Sequence, residues 1–227
     1  MLAMEPPAGG VGPALRSEKD KVFRCVRPFT PESLVRGQFK GYQAEEGVAP
    51  GSRVETFAAV ELWIDSWRWA GVPFYIRVGK RLPVTATEVG VELRRPPQVI
   101  FHDALSPNHV RFRLGPEVVI AIGARAKAAG EAMVGEEIEL SVRHQDPEEM
   151  EPYERLIGDA MLGDATLFAA EDSVEAAWAI VDPILGDTTP VYAYEPGTWG
   201  PAQADRIVER HGRWHCPEPG KERRQYE

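Results

Sequence analysis

The sequence predicts an α+β fold, with a large, mainly antiparallel β-sheet and helices packed on one face. Segments in the first two thirds of the chain alternate apolar and polar residues, which is typical of antiparallel strands with one solvated face. The last third changes to a helical period, and strands followed by helices are the element order of α+β domains. We expect the 227 residues to form a single domain, 1–227, with a real hydrophobic core.

A connection and a helix are expected at the start. Residues 5–13 are rich in Pro and Gly, which indicates an exposed connection. Pro13 suits the first position of a helix, and Pro28 ends the apolar helical pattern that follows. Thr30, followed by Pro31, predicts a capped single turn.

Six segments then carry the strand pattern. In 88–94 the apolar residues Val89, Val91 and Leu93 are expected to face inward. A tight Gly-Pro connection joins the fourth and fifth segments. The predicted strands are 54–64, 74–78, 88–94, 110–114, 117–122 and 138–142.

Three helices are predicted in the last third. The first is 152–162. Ser173 is expected to cap the second, in which Trp178 belongs to an apolar face and is predicted to be core. Pro201 opens the third helix and Gly212 ends it.

Composition and charge limit the possible partners. The formal net charge is −9, so the chain repels nucleic acid and anionic membrane surfaces, and neither is an expected partner. Its apolar runs are too short to span a bilayer. Two widely separated cysteines, Cys25 and Cys216, do not make a disulfide framework and indicate a reducing compartment. We therefore expect a cytoplasmic protein.

Positive charge is concentrated where the second predicted strand ends. Arg77, Lys80 and Arg81 surround Gly79. A lysine is a compact charge with three donors and can hold phosphate oxygens or sugar hydroxyls. A charged turn at a strand end is the alternative, and the residue types alone favour it because basic strand ends are common.

The surrounding sequence adds a resemblance. The segment 67–82, Trp-Arg-Trp-Ala-Gly-Val-Pro-Phe-Tyr-Ile-Arg-Val-Gly-Lys-Arg-Leu, is similar to a block of the C-terminal domain of glucose-6-phosphate dehydrogenase. Further blocks resemble the same family in the same order, and together they cover nearly the whole chain. They are 2–7, 35–42, 55–57, 153–157, 163–168, 175–178 and 194–201.

The resemblance implies a reaction and assigns residues to it. The family oxidises glucose 6-phosphate with NADP to 6-phosphogluconolactone, in the pentose phosphate pathway. Its sugar-binding lysine corresponds to Lys80, and a second basic residue of the substrate site is replaced here by Thr85. Arg77 and Arg113 correspond to arginines that hold a structural NADP in some members, and other basic residues of that site are missing.

The resemblance also implies machinery that these residues do not supply. The catalytic histidine and the coenzyme-binding domain of the family precede the matching blocks, so we predict no catalytic residue here. His102 and His109 lie in no family motif and are expected to be solvated. His211, His215 and Cys216 have metal-like spacing, but three ligands without a fourth make a poor zinc site, and no metal is predicted.

Two functions follow. In the first, the chain is the part of a glucose-6-phosphate dehydrogenase that supplies one wall of the sugar-phosphate site. It is then inactive alone and works with a separate coenzyme-binding domain. In the second, it is a non-catalytic dimerisation or regulatory module derived from that family, with a full-length relative as a further possible partner. A homodimer through the uncovered face of the sheet is expected in both.

Overall fold

The fold comprises two compact units. The computed structural model describes residues 2–9, 12–95, 107–144 and 152–219. The first unit consists of Met1–Pro83 and Met150–Trp214, and the second of Val84–Glu149 and His215–Glu227. The α+β class with mainly antiparallel strands is confirmed, but the strands form two four-stranded sheets where the sequence predicted one broad sheet. The domain boundary 1–227 stays a prediction.

The sheet of the first unit has the strand order β3-β2-β1-β8. Its strands are β1 (Leu34–Phe39), β2 (Phe57–Trp63), β3 (Pro73–Gly79) and β8 (Val191–Tyr194). The pairs β1–β2 and β2–β3 are antiparallel, whereas β8 runs parallel to β1. The sequence predicted β2 and β3, but β1 and β8 were missed.

The core of this unit lies on β1 and β2. Phe57 is 2% exposed and Ala59 is fully buried, and they pack with Val35 and Tyr194. Because the residues at 58 and 60 are also at least partly buried, β2 is covered on both faces. Alternation had indicated one apolar and one polar face, so the burial of Phe57 and Ala59 was not expected.

Helices complete the first unit. They are α1 (Pro13–Cys25), α2 (Pro152–Leu162), α3 (Glu171–Val181) and α4 (Asp205–Val208). A single 3₁₀ turn at Pro31–Ser33 with Thr30 as its cap confirms the predicted capped turn. The bounds of α2 agree with the predicted helix 152–162.

The second predicted helix needs two corrections. Ser173 lies inside α3, and its hydroxyl donates to Asp20 of α1 instead of capping the helix. Trp178, predicted to be core, is 50% exposed. Both differences arise because α3 begins at Glu171 and packs on α1 through the side that carries Ser173 and Ile180.

The sheet of the second unit is a four-stranded antiparallel meander. Its strands are β4 (Thr87–Glu92), β5 (His109–Gly115), β6 (Val118–Lys127) and β7 (Gly135–His144), in that order. The register sorts the side chains onto an apolar face and a charged face. Val91 and Leu93, predicted to point inward, lie 37% and 48% exposed. Burial is on the charged face instead, because ion pairs and the 215–219 segment cover it.

No helix in the described part of the chain is both long and apolar enough to cross a membrane.

Candidate functional site

Lys80 follows directly after β3, and its backbone is fixed on both sides. Its amide donates a 2.8 Å hydrogen bond to the carbonyl oxygen of Thr56, and its own carbonyl accepts a 2.7 Å hydrogen bond from the Tyr194 hydroxyl. The side chain is exposed. Among the residues that the structure describes, its ammonium has no hydrogen-bond or ion-pair partner. A fixed backbone with an uncommitted ammonium is suited to binding an anionic or hydroxyl-bearing ligand.

Tyr194 holds this strand end from within the core. The residue is 3% exposed, and its hydroxyl oxygen lies 3.2 Å from Oγ1 of Thr56. Burial raises the pKa of Tyr194, and it outweighs the opposite effect of the Thr56 hydrogen bond. The phenol therefore stays neutral and keeps its proton for donation to Lys80.

Gly79 lets the strand end lie close to the core. It is paired with Phe57 across β2 and β3. A Cβ at position 79 would lie 2.9 Å from Cδ2 of Phe57 and 3.3 Å from Cδ2 of Leu82. Only glycine allows this approach without a shift of the aromatic ring.

Arg81, the next residue, has a strained backbone conformation. Its φ of 55° lies in the left-handed region, which costs a non-glycine residue on the order of 1 kcal/mol or more. Its carbonyl accepts a 2.7 Å hydrogen bond from the Gly197 amide, and its guanidinium pairs with Glu45 at 3.1 Å. These contacts hold the chain in its turn immediately after Lys80.

The block 194–201 therefore supports the block 67–82. The resemblance identified each block separately, but the contacts Tyr194–Lys80 and Gly197–Arg81 were missed. Both join residues more than 100 positions apart, as the separation of 114 for Tyr194 and Lys80 shows. The only sequence signal for the contact was that both blocks belong to one family pattern.

Lys80 lines neither of two clefts found in the first unit. One, of about 260 Å³, is lined by residues that include Leu34, Thr189 and Arg206. The other, of about 380 Å³, lies beside Gln38 and Arg53. The lysine stands on an open surface and can therefore form one side of a ligand site.

Arg77, a predicted nucleotide contact, is packed between two tryptophans of its own unit. Its Cζ atom lies 4.5 Å from the ring centroid of Trp199 and 5.1 Å from that of Trp214. A guanidinium stacked on aromatic rings is attracted by their negative faces. This arrangement stabilises the sheet edge.

Arg113, the other predicted nucleotide contact, belongs to the second unit and is 6% exposed. Its Nε donates to Glu88 Oε2 at 2.8 Å and its Nη2 to the carbonyl of Glu218 at 2.7 Å. Arg111 binds the same carboxylate at 3.2 Å, and His215 Nε2 lies 2.5 Å from its other oxygen. The guanidinium of Arg113 is therefore already engaged by Glu88 and by the Glu218 carbonyl.

Glu88 is the centre of this network. Its side chain is 1% exposed. Burial alone would raise the pKa of Glu88, but the hydrogen bonds from His215 and Arg113 outweigh it and hold the pKa below its ordinary value. The carboxylate is therefore charged and compensated by its three cationic or proton-donating neighbours.

Thr85, the remaining predicted substrate residue, is exposed in the second unit just before β4. Lys80 and Arg77 lie in the first unit, and Thr85 and Arg113 in the second. The roles predicted for these four residues stay predictions.

His109, His211 and His215 are engaged in local contacts. His211 Nδ1 is hydrogen-bonded to the hydroxyl of Tyr75, whose pKa is raised to about 12, mainly by burial and also by Glu61. His109 lies 3.7 Å from a carboxylate oxygen of Glu139. His102 lies outside the described residues. Within the described ranges, no group of three His, Cys, Asp or Glu residues is arranged to hold a metal ion.

Fold and site together define a class of protein. It is an α+β, mainly antiparallel fold with an exposed lysine at the end of a strand. The backbone carbonyl of that lysine accepts a hydrogen bond from a buried tyrosine.

Comparison with known proteins gives the family. The family model for "Glucose-6-phosphate dehydrogenase, C-terminal domain" matches residues 1–215. The chain belongs to the glucose-6-phosphate dehydrogenase family and corresponds to its C-terminal domain.

Relatives and solved structures agree with this assignment. The chain is similar to glucose-6-phosphate 1-dehydrogenase of Aggregatibacter actinomycetemcomitans, with 41% identity over 238 residues, 96% of this chain and 48% of that protein. It is 37% identical to glucose-6-phosphate 1-dehydrogenase 1 of Mycobacterium tuberculosis (strain ATCC 25618 / H37Rv), over 96% of this chain and 47% of that protein. The chain thus spans about half the length of the curated relatives it matches.

Two solved structures share the fold. The crystal structure of glucose-6-phosphate 1-dehydrogenase from Mycobacterium avium matches with a TM-score of 0.86 and 37% identity, over 96% of this chain and 47% of that one. A glucose-6-phosphate dehydrogenase in complex with its substrate glucose 6-phosphate matches with a TM-score of 0.80 and 29% identity. The match covers 95% of this chain and 48% of that one.

Proposed function

We propose that this chain is the substrate-wall part of a glucose-6-phosphate dehydrogenase. The reaction is the oxidation of glucose 6-phosphate to 6-phosphogluconolactone with NADP, in the cytoplasm. Lys80 is the residue that contacts the sugar phosphate. The observation that carries this proposal is its exposed ammonium, without a partner among the described residues, on a backbone fixed by Thr56 and Tyr194.

Lys80 acts by charge and position. Its three N–H donors reach phosphate or hydroxyl oxygens, and holding its backbone in place lowers the entropy lost when the ligand binds. Thr85 stands where the family resemblance implies a second basic residue, so we expect substrate binding to depend more heavily on Lys80. NADP is the hydride acceptor of this reaction. The family resemblance implies that its binding site lies in the half of the full-length enzymes that this chain does not match.

The 227 residues are inactive by themselves on this proposal. Holding the acceptor against C1 contributes about 7–11 kcal/mol to lowering the barrier, and a general base adds roughly 10²–10⁴-fold. We expect no NADP reduction from the purified chain with glucose 6-phosphate, and measurable turnover would contradict this.

The chain also provides a dimerisation surface. Exposed apolar side chains fill one face of the β4–β7 sheet, which would leave a large apolar patch in water. They include Val91, Leu114, Ile120, Ile122, Ile138, Leu140 and Val142. A second copy has the same face, so a two-fold pairing of sheets covers both.

The apolar face also supports the alternative function, a non-catalytic dimerisation or regulatory module of this family. Sedimentation at micromolar concentration measures the oligomer, and a monomer would contradict the pairing in both functions. Leu140→Lys places a charge on this face and is expected to give monomers. Glu137→Lys, on the charged face of the same strand, is the control and leaves the dimer intact.

Calorimetric titration with glucose 6-phosphate distinguishes the two functions. The substrate wall binds the sugar phosphate, and Lys80→Ala lowers the affinity by at least about tenfold, the loss expected for one charge-assisted hydrogen bond. Lys21→Ala, on the exposed side of α1, is the matched control. No heat with the wild-type chain would favour the non-catalytic module. Inorganic phosphate in a second titration shows how much of the binding belongs to the phosphate group.

A further inference from the structure

Helix α2 (Pro152–Leu162) has no buried residue. Three of its apolar side chains are strongly exposed: Tyr153 at 80%, Ile157 at 61% and Met161 at 83%. They follow one another at four-residue intervals, so they form a single stripe along the helix. We call these three residues the α2 stripe.

The C-terminal end of the helix is closed and the chain after it is bonded to α1, although the stripe is uncovered. The amide of Asp164 donates a 2.9 Å hydrogen bond to the carbonyl of Asp159, which closes the C-terminal end of the helix. One residue further on, the carbonyl of Ala165 accepts a 2.9 Å hydrogen bond from Nη2 of Arg16 on α1. The chain that follows the helix is therefore attached to α1.

An uncovered stripe leaves this helix with little support. A helix of 11 residues is marginal in water unless an amphipathic face is packed, and Gly158 lowers its propensity further. The polar residues Arg155 and Asp159 fall on the other side of the helix from the stripe, whereas Glu154 borders it. The pattern is that of a helix whose apolar side is covered by another body of protein.

The length of the relatives indicates which part of a protein covers the α2 stripe. The match covers 48% of the Aggregatibacter actinomycetemcomitans enzyme, so that protein has about as much chain outside the match as inside it. We propose that the α2 stripe is the contact surface for that other half of a full-length enzyme of the family. This proposal rests on the proposed function, because a non-catalytic module has no such half to bind.

The test joins the 227-residue chain in one polypeptide to the part of the Aggregatibacter actinomycetemcomitans enzyme outside the match. Amide hydrogen exchange of 153–162 is compared in the fusion and in the 227-residue chain alone. We expect exchange in the fusion to be slower by at least about tenfold, since burial of the stripe raises the free energy of local opening. Equal exchange in the two proteins would overturn the proposal.

Two neighbouring residues give a matched pair of variants. Met161 belongs to the stripe, whereas Leu162 is 85% exposed but lies about 100° further around the helix. Met161→Lys is expected to remove the protection in the fusion, and Leu162→Lys to retain it. Both place a lysine in the last turn, so their effects on the isolated helix are alike. Equal loss of protection in the two variants would overturn the assignment of the stripe.

A second copy of the chain is the competing occupant. If it covers the stripe, exchange of 153–162 in the 227-residue chain slows as its concentration rises, and this result would also overturn the proposal. The calorimetric titration on Lys80 is measured separately, so failure of the sugar-phosphate site and failure of the α2 stripe are distinguished.

Discussion

The hydroxyl of Tyr194 donates a 2.7 Å hydrogen bond to the backbone carbonyl of Lys80. A tyrosine of the parallel edge strand β8 thereby fixes the end of β3, the opposite edge strand, which is separated from β8 by β1 and β2. Since the tyrosine is almost completely buried, the bond is protected from water. The position of the candidate substrate lysine depends on this contact.

Tyr194→Phe removes the donor and leaves the Lys80 carbonyl without it. We expect the free energy of unfolding to fall by about 1–3 kcal/mol, the cost of a buried group that loses its hydrogen bond. Urea denaturation measures the change, and faster exchange of the Lys80 amide locates it. Tyr192→Phe is the control because the structure gives its hydroxyl no hydrogen bond within the described residues. Equal losses in the two variants would show that the contact does not matter.

Gly79→Ala tests the close approach of β3 to Phe57. The new Cβ would lie 2.9 Å from the ring, so the aromatic side chain has to move. We expect a loss of about 1–3 kcal/mol in the free energy of unfolding, as for other overpacked cores. Gly90→Ala is the matched control, since a Cβ there meets nothing within 4 Å, and its effect should stay within about 0.5 kcal/mol. A neutral Gly79→Ala would be inconsistent with the tight contact.

Glu88→Gln tests the buried ion network of the second unit. Removing the carboxylate charge leaves the buried Arg113 without an ion-pair partner and Arg111 with Glu139 alone, and we expect a loss of about 3–5 kcal/mol at pH 7. The pKa of Glu88 is lowered in the folded protein, so its contribution is present above the ordinary value of 4.5 and is lost as the pH falls below it. The wild type should therefore lose more stability than the variant between pH 7 and about pH 3.

Glu117→Gln is the control for this prediction, because Glu117 pairs with Arg143 in a more exposed ion pair at 3.0 Å. It should change stability by only about 0–1 kcal/mol. Denaturant unfolding at several pH values measures how the free energy of unfolding of the wild type and of each variant changes with pH. Parallel pH profiles for wild type and Glu88→Gln would count against the network.

Arg77→Lys keeps the charge but removes the planar group between Trp199 and Trp214. We expect a loss of about 1–2 kcal/mol, together with a shift in tryptophan fluorescence. Arg68→Lys is the control: Arg68 forms an exposed ion pair with Glu5, and its substitution should change neither the free energy of unfolding nor the tryptophan fluorescence. If NADP stabilises the wild type and not Arg77→Lys, the arginine binds nucleotide, as the family resemblance implied.

Local patterns predicted the elements that local physics determines. The helix 152–162 was found because its start, period and end lie within one short segment. Strand β1 was missed since it is buried on both faces and carries Arg36 inside, 5% exposed, where its guanidinium donates to the carbonyl of Gly186. Strand β8 has four residues and pairs in parallel with β1, far away in the sequence.

The face of β4 that is buried could not be predicted from the sequence either. Alternation revealed that Val89 and Val91 share one face, and the register confirms this. It could not reveal which face the protein covers, because that depends on the positions of Arg113 and His215 around Glu88. In the same way Lys80 was found from its own block, whereas its support by Tyr194 is a contact between distant parts of the chain.

Gly79 also determines how the protein can accept changes in length. A slip of β3 by one residue would bring Val78 or Lys80 opposite Phe57 and turn every side chain of the strand to the other face of the sheet. Only the observed alignment places a residue without a side chain over the ring. Insertions or deletions between β2 and β3 should therefore alter the 64–72 turn and leave the lysine where it is.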